Sequence, residues 1–210
     1  MSEADEHPAA DADVPSRRGA GWLDDARRLD VAVYAAIART PTPALDRAMS
    51  RLSRAADHSK LSLAAAGALA LAGGPTGRRA AASGLASLAL TSAVVNGPMK
   101  LCARRVRPDR VAEDVPVARH VRMPVTRSFP SGHAAAAFAF ATGVGEVVPA
   151  AAIPLRALAA VVAYSRVHTG VHYPGDVIAG ALTGTTVAEV ASRALARRWP
   201  SAEAPRPAQA

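Results

Sequence analysis

Cysteine is almost absent: Cys102 is the only one in 210 residues. No intrachain disulfide and no cysteine-built metal site can therefore form. Aromatic residues make up 4% of a chain that is half hydrophobic. Few ring faces are available to stack on bases, so the formal charge of +8 argues poorly for nucleic-acid binding. Lysine is nearly missing too, with only Lys60 and Lys100 among 25 basic residues. Charge itself is missing from long stretches: 61–73, 80–99, 134–153, 155–163 and 177–190 carry almost none. A soluble bundle shows charged outer faces on its helices, and these segments show none. Strands are not expected either, because the Ala-rich runs lack a period of two. The first 20 residues are acidic and rich in Pro and Ala, without the apolar centre of a signal peptide.

What remains is Ala, Val and Leu at a density that suits close-packed helices. The expected fold is all-α: a transmembrane bundle of about five spans, preceded by amphipathic interfacial helices. The spans are expected at 58–73, 78–104, 131–149, 152–168 and 174–197. Only 80–99 alone reaches the roughly 20 apolar residues that cross a bilayer; the others need their polar flanks. Apolar residues at helical spacing predict interfacial helices over 22–39 and 44–56. In the second, Leu45, Ala48, Met49, Leu52 and Ala55 are expected to face inward. Gly74–Gly77 is expected to turn, as is the stretch between Pro149 and Pro154. The domain reading is a disordered tail at 1–20, interfacial helices at 21–57, a membrane domain at 58–198 and a second disordered tail at 199–210. No sequence feature fixes the oligomeric state.

Three polar clusters interrupt this apolar background. The first is Lys100 followed by Arg104, Arg105, Arg107 and Pro108. Lys100 and Arg107 are seven apart, two helical turns, which starts them on one helix face; Pro108 would end that helix. Arg forks and a Lys point charge suit phosphate oxygens. Taken alone, the cluster better fits the basic collar of a membrane helix. The second is Pro130-Ser131-Gly132-His133. Ser131 is a plausible N-cap, the helix start offers free N–H groups to an anion, and Gly132 allows close backbone approach. His133 can donate a proton to a leaving oxygen. A capped helix with an interfacial histidine fits as well. The third runs from Ser165-Arg166 to His172 and Asp176. A carboxylate on one imidazole nitrogen fixes the tautomer and raises the basicity of the other. That makes His172 a nucleophile toward phosphorus. With five alternating spans all three clusters fall on one side.

Together the clusters resemble the three signature motifs of the type 2 phosphatidic acid phosphatase superfamily: Lys, six residues, Arg-Pro; Pro-Ser-Gly-His; and Ser-Arg, five residues, His, three residues, Asp. The resemblance covers about 58–197. It implies a metal-independent membrane phosphatase, without a cofactor, acting on a lipid phosphate. It also implies roles: His172 as nucleophile and phosphohistidine, Asp176 as its orienting group, His133 as acid and then base, and Lys100, Arg107, Ser131, Gly132 and Arg166 as phosphate holders. In layout the chain resembles small actinobacterial members assigned to polyprenyl-phosphate sugar metabolism. Undecaprenyl diphosphate, phosphatidylglycerophosphate and phosphatidic acid stay open as substrates. A vanadium haloperoxidase would use the same cradle, but those relatives are generally soluble. A silent lipid-binding scaffold would not need both histidines.

Other polar residues carry less. His168 precedes His172 by four, yet Gly170 and Pro174 interrupt the helix a zinc pair needs, so it reads as packing. Asp109, Glu113 and Asp114 balance a basic loop. Gly180 and Gly184 form a small-xxx-small pair for close helix contact. Basic residues number nine in 1–60 and eight in 100–127, against seven on the opposite side. The positive-inside rule then favours a cytoplasmic catalytic face on a multi-pass cell-membrane protein.

Overall fold

A computed structural model describes residues 18–198, and no strand occurs among them. The two expected tails lie almost wholly outside the described residues; Arg18–Ala20 already belong to the first helix. Eight α-helices follow in order: α1 Arg18–Arg39, α2 Pro43–Ala55, α3 Lys60–Ala72, α4 Gly74–Val94, the single turn α5 Lys100–Cys102, α6 Gly132–Gly145, α7 Pro149–His168 and α8 Pro174–Arg198.

The centre is α6. It is built almost entirely of Ala, Gly and Phe, and Ala134, Ala135, Ala139, Phe140, Ala141 and Val144 are buried. A helix apolar on all sides has to be enclosed on all sides. Accordingly α4, α7 and α8 pack against it, and α3 packs on α4. The α8 contact is the closest. A Cβ on Gly180 would lie 2.5 Å from the Ser131 carbonyl oxygen, and one on Gly184 would lie 2.1 Å from that of Ala135. The small-xxx-small pair therefore works as expected, by letting two backbones touch.

Among the described residues two stretches, Gly74–Cys102 (α4 through α5) and Pro149–His168 (α7), are long and apolar enough to cross a membrane. At 1.5 Å per residue, α3 and α6 span only about 20 Å each. The five-helix order expected for 58–197 is present, with different ends. Gly74–Gly77 does not form a turn: α4 begins at Gly74, and Pro75 stands in its first turn, where its missing N–H costs nothing. Pro149 likewise opens α7, and Pro154 lies inside that helix instead of closing a turn.

The N-terminal helices depart most from expectation. Much of α1 is exposed, including Trp22, Leu23 and Leu29, as an interfacial helix requires. It packs on α7 and α8 near its end, through Tyr34 and Ala38. In α2 the inward face is Asp46, Met49, Ser50 and Ser53, while Ala48 and Ala55 are exposed and Leu45 and Leu52 half-buried. The packing face is rotated from the apolar stripe and keeps only Met49 of it fully buried, because polar partners wait on that side. Arg119, fully buried, sends Nε to Asp46 at 2.7 Å and its other nitrogens to the Ile37, Ala38 and Thr40 carbonyls and Thr42 Oγ1. His168 Nε2 meets the same Asp46 oxygen at 2.9 Å. His168 thus belongs to a buried polar knot between α2 and α7.

Candidate active site

All three clusters converge where α6 and α8 begin. Ser131 caps α6, its hydroxyl accepting from Ala134 N, and its own N–H donates to the Asp176 carbonyl at 2.9 Å. That bond ties the second cluster to the third. The first arrives differently from expectation. α4 gives way at Val95–Met99 to a π-turn, with Pro98 inside it and Gly97 off helical geometry (φ −86°, ψ −108°). Such turns recur at functional sites. Only three helical residues follow before Ala103 becomes extended. Arg107 is therefore on no helix, and its seven-residue spacing from Lys100 does not reflect two helical turns. Pro108 disfavours helix in the residue before it. An extended strand of chain still carries Arg107 back to the site.

A cavity of about 210 Å³ forms there, lined by Lys100, Arg107, Gly132, His133 and His172, with Asn96 beside them. A Cβ on Gly132 would lie 3.6 Å from Lys100 Nζ, which brings the first and second clusters into contact. Arg166, Ser131 and Asp176 are buried and do not line the cavity. They stand behind its wall.

His172 is buried in the loop between α7 and α8. Its Nδ1 lies 3.4 Å from Asp176 Oδ2, and its Nε2 lies 3.1 Å from Arg107 NH1. A guanidinium has donors only, so Nε2 is the acceptor and holds the lone pair. Nδ1 then carries the proton and donates it to Asp176. Burial pushes the His172 pKa down to about 4, with Asp176 opposing and Arg107 adding. The ring is therefore neutral at ordinary pH, with its lone-pair nitrogen beside the Arg107 cation. Burial also pushes Arg107 down to about 10, with Arg166 adding; it stays a cation at neutral pH. Arg107 spreads its other bonds over the Val171, Thr126 and Arg127 carbonyls, and Lys100 Nζ reaches Thr126 Oγ1 at 3.3 Å.

Several contributors lie outside the three motifs. Asp176 also accepts from Ser128 Oγ, from Arg105 NH1 at 3.1 Å and from Tyr173 N at 3.0 Å. Arg105 bridges to Asp30 at 2.5 Å and stacks over the Tyr173 ring at 4.1 Å. Asp30 receives the Gly175 N–H at 2.6 Å, which docks α1 on the start of α8. Asp57 Oδ1 lies 3.1 Å from His133 Nε2 and 3.3 Å from Arg166 NH1. Arg166 NH1 also donates to Ser53 Oγ at 2.7 Å, and its Nε is buried with no partner among the described residues. Arg105 and Ser128 sit beside the motifs and share their composition. Asp30 and Asp57 give no signal, one being an acidic residue on a charged helix face and the other an acidic residue in the turn after α2.

Two imidazoles, one neutral with its lone pair toward Arg107, line one cavity with Lys100 and Arg107, a combination whose charge and donors suit a phosphoryl group. The pattern that defines the PAP2 superfamily matches residues 80–200. The chain belongs to that superfamily, and with it to the phosphoric monoester hydrolases. It is 38% identical over 168 residues to the decaprenylphosphoryl-5-phosphoribose phosphatase of Mycolicibacterium smegmatis, covering 75% of this chain and 84% of that protein. The enzyme of the same name from Mycobacterium tuberculosis is 38% identical over 96 residues, 44% of this chain and 49% of that one. Two crystal structures share the fold. One is a transmembrane PAP2 type phosphatidylglycerolphosphate phosphatase from Bacillus subtilis, with TM-score 0.64 and 21% identity over 88% of this chain and 92% of that one. The other is Aquifex aeolicus LpxE, with TM-score 0.61 and 24% identity over 79% and 95%.

Proposed function

We propose that this chain is a multi-pass membrane phosphatase that removes a phosphoryl group from a polyprenyl-linked phosphate, with decaprenylphosphoryl-5-phosphoribose as the leading substrate. The observation that carries the mechanism is the donor at His172 Nε2, which leaves the lone pair on the nitrogen facing the cavity. In the first step that lone pair bonds to phosphorus, the bond to the leaving oxygen breaks, and His133 gives that oxygen a proton. In the second, His133 takes a proton from water, whose oxygen displaces His172 and releases phosphate. Asp176 holds His172 in its tautomer. Lys100, Arg107 and Gly132 line the phosphate cradle, and Ser131 and Arg166 complete it from just behind the cavity wall, the unpartnered Nε of Arg166 supporting its share. The charge on phosphate is met by these cations, so the reaction proceeds without a metal.

A lipid substrate is supported by the cavity's surroundings. An apolar seam between α3, α6 and α7 shares Leu61, Ser62, Ala137 and Val162 with it, so one wall of the cavity is apolar. A broader hollow of about 730 Å³ shares Lys100 and Arg107 with the cavity and sets Thr126 and Arg127 beside Leu101, Val106, Met123 and Val125, a mixed surface for an amphiphilic substrate. The similarity to the Mycolicibacterium smegmatis enzyme, over most of both chains, supports the choice among lipids. In this reading residues 58–198 form the membrane domain with five crossings, 21–57 lie at the interface, and the catalytic face is cytoplasmic.

The test is a substrate panel on the full chain purified in detergent: decaprenylphosphoryl-5-phosphoribose, undecaprenyl diphosphate, phosphatidylglycerophosphate and phosphatidic acid. The first should be turned over fastest. His172→Ala should be inactive, and rapid quench of the wild type should trap acid-labile, base-stable label on His172. EDTA should not inhibit, and vanadate should. Normal turnover by His172→Ala, or EDTA inactivation reversed by magnesium, would sink the mechanism.

A further inference from the structure

Asp57 belongs to none of the three motifs, yet it touches two of them. It opens the three-residue turn between α2 and α3, where His58 and Ser59 both hold left-handed backbone (φ 56° and 57°). Non-glycine residues rarely adopt that conformation, and two in succession fix the direction in which Asp57 leaves α2. One carboxylate oxygen then meets both His133 Nε2 and Arg166 NH1. A carboxylate oxygen accepts, so Nε2 of His133 carries a proton and Nδ1 is the nitrogen left for chemistry. His172 is arranged in the opposite sense, with Nδ1 facing its carboxylate and Nε2 available. The site contains two carboxylate–imidazole pairs that use opposite ring nitrogens.

We propose that Asp57 is a positioning residue for His133, holding Nε2–H so that Nδ1 faces the leaving oxygen. The inference rests on the phosphatase reading above. When the His172 lone pair forms the N–P bond, the P–O bond breaks with its electron pair on the leaving oxygen, and His133, which enters this step as the imidazolium with Nε2–H on Asp57, gives that oxygen its Nδ1 proton and becomes neutral. In the return step Nδ1 takes a proton from water as the water oxygen bonds to phosphorus, and the N–P pair returns to His172. Asp57 keeps Nε2 throughout. Arg166 NH1, on the same carboxylate oxygen, keeps Asp57 in place, and is itself held by Ser53. His172 and Arg166 are the other ionisable groups that act on His133.

The test compares kcat/KM on two substrates, because that ratio reports only the steps through loss of the leaving group. Dodecyl phosphate needs a proton on its departing alkoxide; 4-nitrophenyl phosphate, with a stabilised phenolate, hardly does. General acids contribute about 100-fold or more. Asp57→Asn in the full-length enzyme should lose about 100-fold on dodecyl phosphate and under about 3-fold on 4-nitrophenyl phosphate. Asp57→Glu should recover at least about 10-fold of that loss. In a His133→Ala background Asp57→Asn should cost nothing further on dodecyl phosphate, as expected of two groups acting as one. Equal loss on both substrates would make Asp57 a scaffold residue and overturn the proposal. So would a gain on both substrates with tighter inhibition by inorganic phosphate, since Asp57 would then be competing for the phosphate position. Activity in His172→Ala would instead overturn the phosphatase mechanism itself, whatever Asp57→Asn does.

Discussion

Gly184→Ala places one methyl group between the two helices that carry the reactive groups. A Cβ at that position would lie 2.1 Å from the Ala135 carbonyl oxygen and 2.9 Å from its carbon. Both are backbone atoms, so no neighbouring rotamer can relieve the clash. Real Cβ contacts begin beyond 3.0 Å, which forces α6 and α8 apart by about 0.9 Å. Inserting a methylene into a packed contact costs about 1–3 kcal/mol. For a chain of this size that lowers Tm by roughly 2–4 °C per kcal/mol. The functional cost should be larger, because α6 begins with Gly132 and His133, and α8 holds Asp176 in its first turn. A misplacement of about 1 Å can cost about 100-fold in rate. In detergent-purified protein, Gly184→Ala should therefore unfold earlier and lose kcat by about 10- to 100-fold. Gly67→Ala is the matched control. Its Cβ would meet nothing within 4 Å on α3, and Gly to Ala in a helix interior stabilises by about 0.5–1 kcal/mol. If Gly184→Ala behaved like Gly67→Ala in both assays, the close α6–α8 contact would be refuted.

Three other expectations follow from the geometry. His172 has a folded pKa of about 4 against an ordinary 6.5, so between those values the unfolded chain binds a proton the folded chain refuses. Its contribution to stability is complete above pH 6.5 and is lost as pH falls toward 4; Tm measured across that window should fall less steeply in His172→Gln, and parallel curves would contradict the burial argument. Arg166→Lys cannot reproduce a guanidinium that serves Ser53 and Asp57 at once, and should lose about 10- to 100-fold in kcat/KM with weaker phosphate inhibition; an unchanged ratio would remove Arg166 from the cradle. Ala118 is exposed, and in a Cys102→Ser background Ala118→Cys should resist a membrane-impermeant thiol reagent in intact cells, whereas ready labelling would place the catalytic face outside.

The bundle was legible because its central helix is unusual in composition. Residues 134–145 have no polar face, and a segment without one can only be enclosed. The site was legible because phosphate chemistry draws on a small set of side chains at fixed spacing, and Lys100, Arg107, His133 and His172 do share a cavity. What failed has a common cause. Helix ends were read from prolines as breakers, yet Pro75 and Pro149 stand in first turns, where their geometry is welcome. Arg107 was assigned to a helix because periodicity says nothing about the π-turn at Val95–Met99. In α2 the apolar pattern places Met49 correctly but misses Asp46, Ser50 and Ser53, because the partner surface supplies Arg119, Arg166 and His168 instead of carbon. No single-segment pattern encodes what a distant segment presents. Asp30 and Asp57 were invisible for the same reason: their meaning depends on residues 75 or more positions away.

Arg119 makes two distant stretches of sequence into one unit of exchange. Its guanidinium fills the bend between α1 and α2 with bonds to three carbonyls, a hydroxyl and a carboxylate. Transplanting 103–131 from a relative with a different head-group preference, without 37–57, would leave Asp46 or the guanidinium buried and uncompensated, at a cost of about 3–5 kcal/mol. Chimeras that swap specificity in this scaffold must carry both stretches together. A change at Arg119 has to be matched at the bend between α1 and α2, although α3 and α4 lie between them in the sequence.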